Sequence, residues 1–519
     1  MGRPDVGAWR RRAGPVGHGG RDGGGQDVRA LALAAALCAT GAWAEVRFED
    51  RSGGLPEHRY TGGWTHFVGG GVAVLDCDDD GLPDLFAAGG DSPARLIRNR
   101  GAFRFDAAPL PAISGVTGAY PLDIDGDGAL DLMVLRVGAN MALRGDGACG
   151  FQDVTARWGL DGGDAWSTAF SATWVDGAPV LAVGNYVDRA DPDGPFGTCD
   201  DNLLYRWRDG RFRAATLAPG YCALSMLFAR DAGGTPRLRI SNDRHYYLRG
   251  GSEQMYDLSL GRFLGPDDGW ADVSLWGMGI ASRDITGDGR AEVMLTSMGD
   301  QLLQLAQGDG TYAAAPYAIG TYAQRPHVGD DGRPSTGWHA EFGDLDNDAR
   351  ADLFIAKGNV DQMPGLAMED PNSLLMQRAD GTFHEASVAA GVATTARSRG
   401  AALADFDGDG RLDLVVVNRR APMEIYRNAT PGTGAWMQIE LRADGPNTRA
   451  IGALVTVRAA GRAQVQEVTV GGGHASGQAG PLHFGLGTAD RADIAVDWPG
   501  GRHTTMRDVV VNQRLTLRP

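Results

Sequence analysis

The chain has 519 residues, 78 of them glycine, with 22% charged residues and a formal net charge of −16. That length exceeds one ordinary core and asks for several domains or one large closed architecture, in a composition typical of a turn-rich folded protein. The acidity argues against nucleic acid or an anionic membrane as the main partner.

In chain order, the first feature is an apolar stretch from Leu31 to Thr40, followed by Ala42, Trp43 and Ala44. This is the pattern of an export signal with small residues at the cleavage site, so residues 1–44 are expected to be removed. Residues 1–27 are long and Gly/Arg-rich for such a signal, which fits a start codon assigned too early, with Val28 as the real beginning. No other segment is long and apolar enough to span a bilayer.

Next come five segments with one acidic pattern. The first is Asp76, Asp78, Asp80, Gly81, Leu82 and Asp84, and the second is Asp123, Asp125, Asp127, Gly128, Ala129 and Asp131. The third has Asp284, Thr286, Asp288, Gly289, Arg290 and Glu292. The fourth has Asp344, Asp346, Asp348, Ala349, Arg350 and Asp352. The fifth has Asp405, Asp407, Asp409, Gly410, Arg411 and Asp413. Oxygen ligands at alternate positions, a turn residue and a closing carboxylate suit a hard cation such as Ca²⁺, with the seventh residue offering its main chain. The closing carboxylate is ninth rather than twelfth, and an apolar strand follows it, so these are not EF-hands. About five Ca²⁺ sites are expected. The loops at Asp76, Asp123 and Asp405 should bind most tightly.

Two further positions fit the same period without the ligands. One holds Ala172, Trp174, Asp176, Gly177 and Val180. The other holds Ala229, Asp231, Gly233, Gly234 and Arg237. No metal is expected at either, although the retained glycines suggest the same backbone turn. Between loops, an apolar strand, a turn and Gly-x-aromatic recur, as at Phe103, Phe212, Tyr312 and Phe383. Each unit therefore carries four strands, which is one propeller blade. Seven loops stand against six complete outer hairpins. The missing outer strand is expected from Val46 to Asp50, which would close the ring and leave no open edge.

Four cysteines follow the export segment. Cys199 with Cys222, and Cys77 with Cys149, are the candidate disulfides, with free buried thiols as the alternative. Residues 430–519 alternate at Ile494, Val496 and Trp498, at Val455 and Val457, and at Leu515 and Leu517, around a turn at Pro499. This predicts a small β-sandwich.

These units resemble FG-GAP/VCBS repeats, the calcium-loop blades also seen in integrin α-subunit propellers. Tyr426 to Trp436, Ile451 to Val457, Gly471 to Ser476, Phe484 to Gly487 and Val496 to Gly501 resemble the ASPIC/UnbV domain. Together they make the chain similar to the cartilage-acidic-protein-like family. The expected architecture is all-β: a seven-bladed β-propeller with calcium loops over 45–429, followed by a C-terminal β-sandwich over 430–519.

No G-x-S-x-G, H-E-x-x-H or P-loop is present. His339 and His474 are the best catalytic candidates, and each is expected to be structural. The strand after each loop ends in polar residues: Asn185 and Tyr186; Asn242, Asp243 and His245; Asn359; Asn418 and Arg419. With the long connections that follow, they are the expected ligand face, opposite the calcium loops; the competing reading is that they cap strand ends. The functional expectation is an exported, monomeric recognition or adhesion module for an extracellular or periplasmic protein or glycan. The alternative is a propeller enzyme, a lyase or hydrolase acting on polysaccharide.

Overall fold

A computed structural model describes residues 45–191, 197–243, 251–329, 332–360 and 363–519. The export segment and His245 lie outside these residues. Seven blade sheets are present among the described residues, six containing four consecutive strands and the seventh three, and the first strand of each packs against the first strand of the next. The first strand of blade 1, Val72–Leu75, also meets that of blade 7, Ser398–Ala404, so the ring is closed. Phe48–Asp50 pairs antiparallel with Glu424–Asn428 and supplies the outermost strand of blade 7, as the count of hairpins predicted. These sheets form a seven-bladed β-propeller.

The apolar runs fall where the blades face one another. Val72–Leu75, Asp131–Leu135 and Asp413–Asn418 are buried throughout because each inner strand is covered on both faces. In each acidic-loop blade the residue before the first aspartate pairs across the hairpin with the closing acid. The pairs are Leu75 with Asp84, Leu122 with Asp131, Arg283 with Glu292, Gly343 with Asp352 and Ala404 with Asp413. The antiparallel order puts these loops and the Gly-x-aromatic turns on one face of the ring, and the longer connections on the other.

Blades 3 and 4 differ from the sequence reading. At Ala172 there is no degenerate metal loop. Ser167–Val175 and Ala178–Asn185 stay paired to a two-residue turn at Asp176 and Gly177, both with positive φ. Asp-Gly is favoured there because both central positions need left-handed backbone. At Ala229 the pairing runs on to Arg230 and Pro236, and a short turn closes with the Asp231 N–H donating to the Thr235 carbonyl. The glycines thus mark tighter hairpins, not a surviving nine-residue turn.

Beyond the ring, Ala435–Leu441 lies between Leu482–Gly487 and Gln513–Leu517 in one sheet. Leu454–Ala459 lies with Arg462–Glu467, Arg491–Asp497 and His503–Val510 in a second. The two sheets enclose a shared core that includes Met437, Val455, Phe484, Ile494, Val496 and Trp498. This is the C-terminal β-sandwich. Two disulfides join Cys77 to Cys149 and Cys199 to Cys222, each with Cα atoms 4.8 Å apart. No helix among the described residues is long and apolar enough to cross a membrane.

Candidate functional site

The acidic loops share one construction. The first carboxylate turns back on its own loop: Asp405 accepts from the Gly408, Asp409 and Gly410 N–H groups at 2.8, 3.0 and 2.8 Å. Asp123 does the same with Gly126, Asp127 and Gly128. The closing acid joins the loop to the third strand. Asp413 accepts from Phe406 N–H and Asn428 N–H at 2.8 Å each, and Asp131 from Ile124 and Gly145 at 2.8 and 3.0 Å. The sixth residue has positive φ in all five loops: Gly81, Gly128, Gly289, Gly410 and, at 70°, Ala349. The fourth position does too, including Asn347 at 58° and Asp79 at 54°, a requirement the sequence reading missed.

These bonds gather carboxylates. Asp76, Asp78 and Asp84 bring oxygens within 4.8 Å of one another. So do Asp123, Asp125 and Asp127; Asp344, Asp346 and Asp348; and Asp405, Asp407 and Asp413. Each trio could hold a metal ion. The loop at Asp284 gathers no trio, because Thr286 stands where the others have a third acid. Asp80, Asp131, Asp352 and Asp409 fall outside the trios, and Leu82, Ala129, Arg290, Arg350 and Arg411 can offer only carbonyls.

Arginines lean on every loop. Arg144 reaches Asp125 at 2.6 Å, Arg427 reaches Asp407 and Asp409 at 2.6 and 2.9 Å, and Arg290 reaches Asp288 at 3.0 Å. Arg98 pairs with Asp78, Arg350 with Asp348 and Arg411 with Asp409. Burial still dominates at the deeper acids. It pushes Asp84 and Asp405 up to about 6, Glu292 to about 7 and Asp131 to about 8, and holds Asp344, Asp352 and Asp413 well above the usual range. Gathered carboxylate oxygens fit a hard divalent cation, and the sulfurs beside Asp84 are already joined in the Cys77–Cys149 disulfide. In blade 4 Arg237 instead fills the place of the closing acid, pairing with Asp231 and reaching Asp257 at 3.1 Å.

The sandwich sits on these loops. Gln438 donates to Asp405 at 2.8 Å, and Thr448 donates to Asp123. His483 meets the Asn347 side chain at 2.7 Å, and Arg442 reaches Asp79 at 2.7 Å. The Gly81 and Gly128 carbonyls accept from Arg514 and Arg449 at 3.0 and 3.1 Å. Trp436 lies where a side chain at Gly410 would have to go.

One segment of the sandwich enters the channel. Gln478–Ala479 pairs parallel with Val74 and Leu75, and bridges join Ser476 to Ala119, Val470 to Ala172, Gly471 to Leu227 and Gly473 to Ile280. A side chain at Gly71 or Gly118 would collide with the Ala475 carbonyl, which is why the channel wall is bare there. The other mouth is filled by the connection 60–70. Its Gly69 N–H donates to His474 Nε2 at 3.0 Å, so the two fillings meet inside the ring.

Both catalytic candidates are consumed by this arrangement. His339 Nδ1 accepts from the His474 N–H at 3.1 Å, and its Nε2 faces Glu341 at 3.3 Å. His474 is fully buried, and desolvation pushes its pKa down to about 3, so it is a neutral packed acceptor.

The expected ligand-face residues are corrected. Asn185, Tyr186, Asn242, Asp243, Asn359, Asn418 and Arg419 are all buried. Asn185 donates to the Asp201 carbonyl, Asn418 to Pro422, and Asn359 to Met363, Leu366 and Ala367, while Tyr186 donates to Asp243 at 2.7 Å. Arg419 reaches the Gly62 and Gly63 carbonyls. These side chains hold the long connections in place, because buried main-chain groups there lack ladder partners. Within the long connections Trp64 is 41% exposed, stacked on Phe67 at 4.5 Å, and Tyr317 is 73% exposed.

Residues 443–519 match the family described as ASPIC and UnbV. Residues 76–134, 284–355 and 365–416 match the FG-GAP-like repeat, and all five acidic loops lie inside those stretches. Cartilage acidic protein 1 of Mus musculus is 24% identical over 163 residues, 31% of this chain and 25% of that protein. The Xenopus tropicalis protein is 25% identical over 169 residues, again 31% of this chain and 25% of the relative. The match thus spans about a quarter of the length of these relatives. Among solved structures, an Agrocybe aegerita lectin specific for non-reducing terminal N-acetylglucosamine is 18% identical, covering 61% of this chain and 79% of its own at a TM-score of 0.35. The BP39L lectin of Burkholderia pseudomallei is 10% identical, covering 86% and 99% at a TM-score of 0.43.

Proposed function

The chain carries FG-GAP-like repeats and an ASPIC and UnbV domain, and from that premise we propose an exported, calcium-stiffened recognition module. Its partner, a protein or a glycan, docks on the propeller face away from the acidic loops. The observation that supports this is what the fold has already covered. The sandwich occupies the loop face, and the channel is filled from both mouths. The uncovered functional surface is the set of long connections, with Trp64 and Tyr317 exposed on it. Loops on a rigid scaffold are where recognition accumulates, and a partly exposed aromatic suits either a protein or a sugar.

Ca²⁺ in this reading is structural. Its ligands would come from the first, third, fifth and ninth acids and the seventh carbonyl of each loop, and it supplies positive charge beside deep acids whose ionisation burial opposes, Asp131 and Asp413 among them. Export is supported by the two disulfides, which persist in oxidising compartments. A polysaccharide lyase or hydrolase would need an open groove with free acid and base groups. His339 and Glu341 are bonded to the channel filling instead, so the enzyme reading has less support.

The test is a glycan and secreted-protein array, run with calcium and with EDTA. Saturable binding without turnover, lost on changing Trp64 and Tyr317 together to Ala, is the expected result. Product formation from any polysaccharide would replace this reading with the enzyme.

A further inference from the structure

The acidic loops are bonded to one another from blade to blade. In an acidic-loop blade the third strand ends on a residue whose N–H donates to the closing acid. Asn99 gives it to Asp84 at 2.8 Å, Gln377 to Asp352 at 2.9 Å and Asn428 to Asp413 at 2.8 Å. The side-chain amide of the same residue then crosses to the preceding blade. There it donates to the carbonyl of the second residue of the acidic loop: Asn99 to Phe406 at 2.8 Å, Asn428 to Leu345 at 2.8 Å and Gln377 to Ile285 at 3.1 Å. Phe406, Leu345 and Ile285 give their own N–H groups to Asp413, Asp352 and Glu292 at 2.8, 3.0 and 3.0 Å. A continuous run of hydrogen bonds therefore passes from Glu292 through the loops at Asp344 and Asp405 to Asp84. The bridging side chains are all buried.

Blade 2 closes its junction differently. Its third strand ends at Gly145, where any side chain would collide with the Leu130 carbonyl. Here the second residue of the blade 1 loop is Cys77. Its N–H donates to Asp84 at 3.1 Å, its carbonyl accepts from the Cys149 N–H of blade 2 at 3.1 Å, and the disulfide joins the same two residues. At the junction of blades 4 and 5 the earlier hairpin has no acidic loop, and the third strand of blade 5 ends at Ala306, which has no amide. Every junction between successive acidic loops is thus bridged at the second loop residue, and the bridge is missing where the acids are. A contact that served packing alone would have no reason to follow the acids.

We propose that Gln377, Asn428, Asn99 and the Cys77–Cys149 pair are positioning residues that couple the metal loops in series, a role that presupposes the Ca²⁺ of the proposed function. The second loop residue lies between the first and third ligands of one loop. The residue that holds it also holds the closing ligand of the next. A cation that orders one loop therefore lowers the freedom its neighbour must lose on binding. Such coupling is reciprocal, so the order of filling does not alter it.

The test is a calcium titration of the chelator-stripped full chain by calorimetry, with circular dichroism alongside. The unaltered chain is expected to bind with a Hill coefficient above unity. Gln377→Met keeps the reach of the side chain and removes its donor. It should bring the Hill coefficient toward unity and raise the calcium concentration at the midpoint at least roughly fivefold, with the number of ions unchanged. Gln304→Met is the control, since that buried amide bridges blades 4 and 5 through Arg239 and touches no acidic loop. It should leave the isotherm as it is, whatever it does to the melting temperature. Calcium bound without cooperativity by the unaltered chain overturns the coupling alone. So does an unchanged Hill coefficient in a folded Gln377→Met, or an equal loss in Gln304→Met. A chain that binds no calcium overturns the calcium reading and the coupling with it. Should Gln377→Met not fold, Asn99→Ser, which withdraws the donor from Phe406, decides by the same readout.

Discussion

Blades 1 and 3 solve the same problem in opposite ways. Both must turn the chain from the channel strand to its neighbour on the face the sandwich covers. Blade 1 stops its ladder after four residues on each side, Val72–Leu75 and Asp84–Ala87, and makes the turn from carboxylates. Blade 3 carries strands of nine and eight residues to a two-residue turn, and the place of the closing acid is taken by Val180, which is buried. The carboxylate loop is thus not needed to build a blade. It installs buried acids that oppose folding unless a cation meets them, and so makes part of the ring's stability conditional on its medium. It also presents charged tips, to which the sandwich attaches.

The sharpest way to break this comparison is to remove calcium. A ligand bound only by the folded state contributes about 2.7 kcal/mol per site at a hundredfold excess over its dissociation constant. EDTA is expected to lower the melting temperature strongly and to raise protease cleavage at the sandwich–propeller junction. Metal analysis should give three to five ions, none in blades 3 and 4. An unchanged melt, or an ion at Asp176 or Asp231, would contradict the contrast.

Next in size is the channel filling, which touches both kinds of blade. Desolvation lowers the His474 pKa from 6.5 to about 3 in the fold. The unfolded chain therefore takes up the proton first as pH falls. The associated stability is fully present above pH 6.5 and is lost below it, by about 2 kcal/mol at pH 5. Urea melts in saturating calcium should show this one-proton slope, and His474→Gln should lack it.

A paired substitution isolates the loops themselves. Asp405→Asn, at a gathered trio, should remove one calcium and cost about 2 kcal/mol. Asp176→Asn should stay within about 0.5 kcal/mol, since Asn tolerates left-handed backbone. Equal effects of the two, read by calorimetry and thermal melts, would erase the distinction between blades.

The smallest expected change is a gain. Ala349 holds φ at 70° where the other loops have glycine. Ala349→Gly should stabilise the protein by about 1 kcal/mol and tighten calcium at that loop.

The blade count and the ring closure were legible because the loop, the strand and the Gly-x-aromatic turn repeat, and because Phe48 to Asp50 looks like the strand it replaces. The acids of the trios were legible for the same reason. The role of Val470 to Ala479 was not. A run of Gly471, Gly472 and Gly473 carries no period, and its partners, such as Ala172 and Ala119, lie hundreds of residues away. The polar strand ends misled for a different reason. Asn185, Asn359 and Asn418 look alike whether they face solvent or bond the main chain beside them, and only burial separates the two. Asp176 and Gly177 were recognised as a turn, but the register that makes it a tight hairpin depends on pairing a sequence does not display.

The pairing of Phe48–Asp50 with Glu424–Asn428 also sets an order of events. During synthesis the outermost strand of the last blade is made first and its three partners last. The circle therefore stays a string of blades with an exposed edge until nearly the whole chain is available. The segment that fills the centre comes later still: Gly69 and His474 are 405 positions apart, among the most distant contacts in the molecule. Contacts of that separation slow folding, because loop closure must precede any gain from them. Circularly permuted variants that begin at blade 1 and place the Phe48 strand after Asn428 should close sooner. A chain ending before the sandwich should reach a ring whose channel is open on the loop face and still filled by the connection 60–70 on the other.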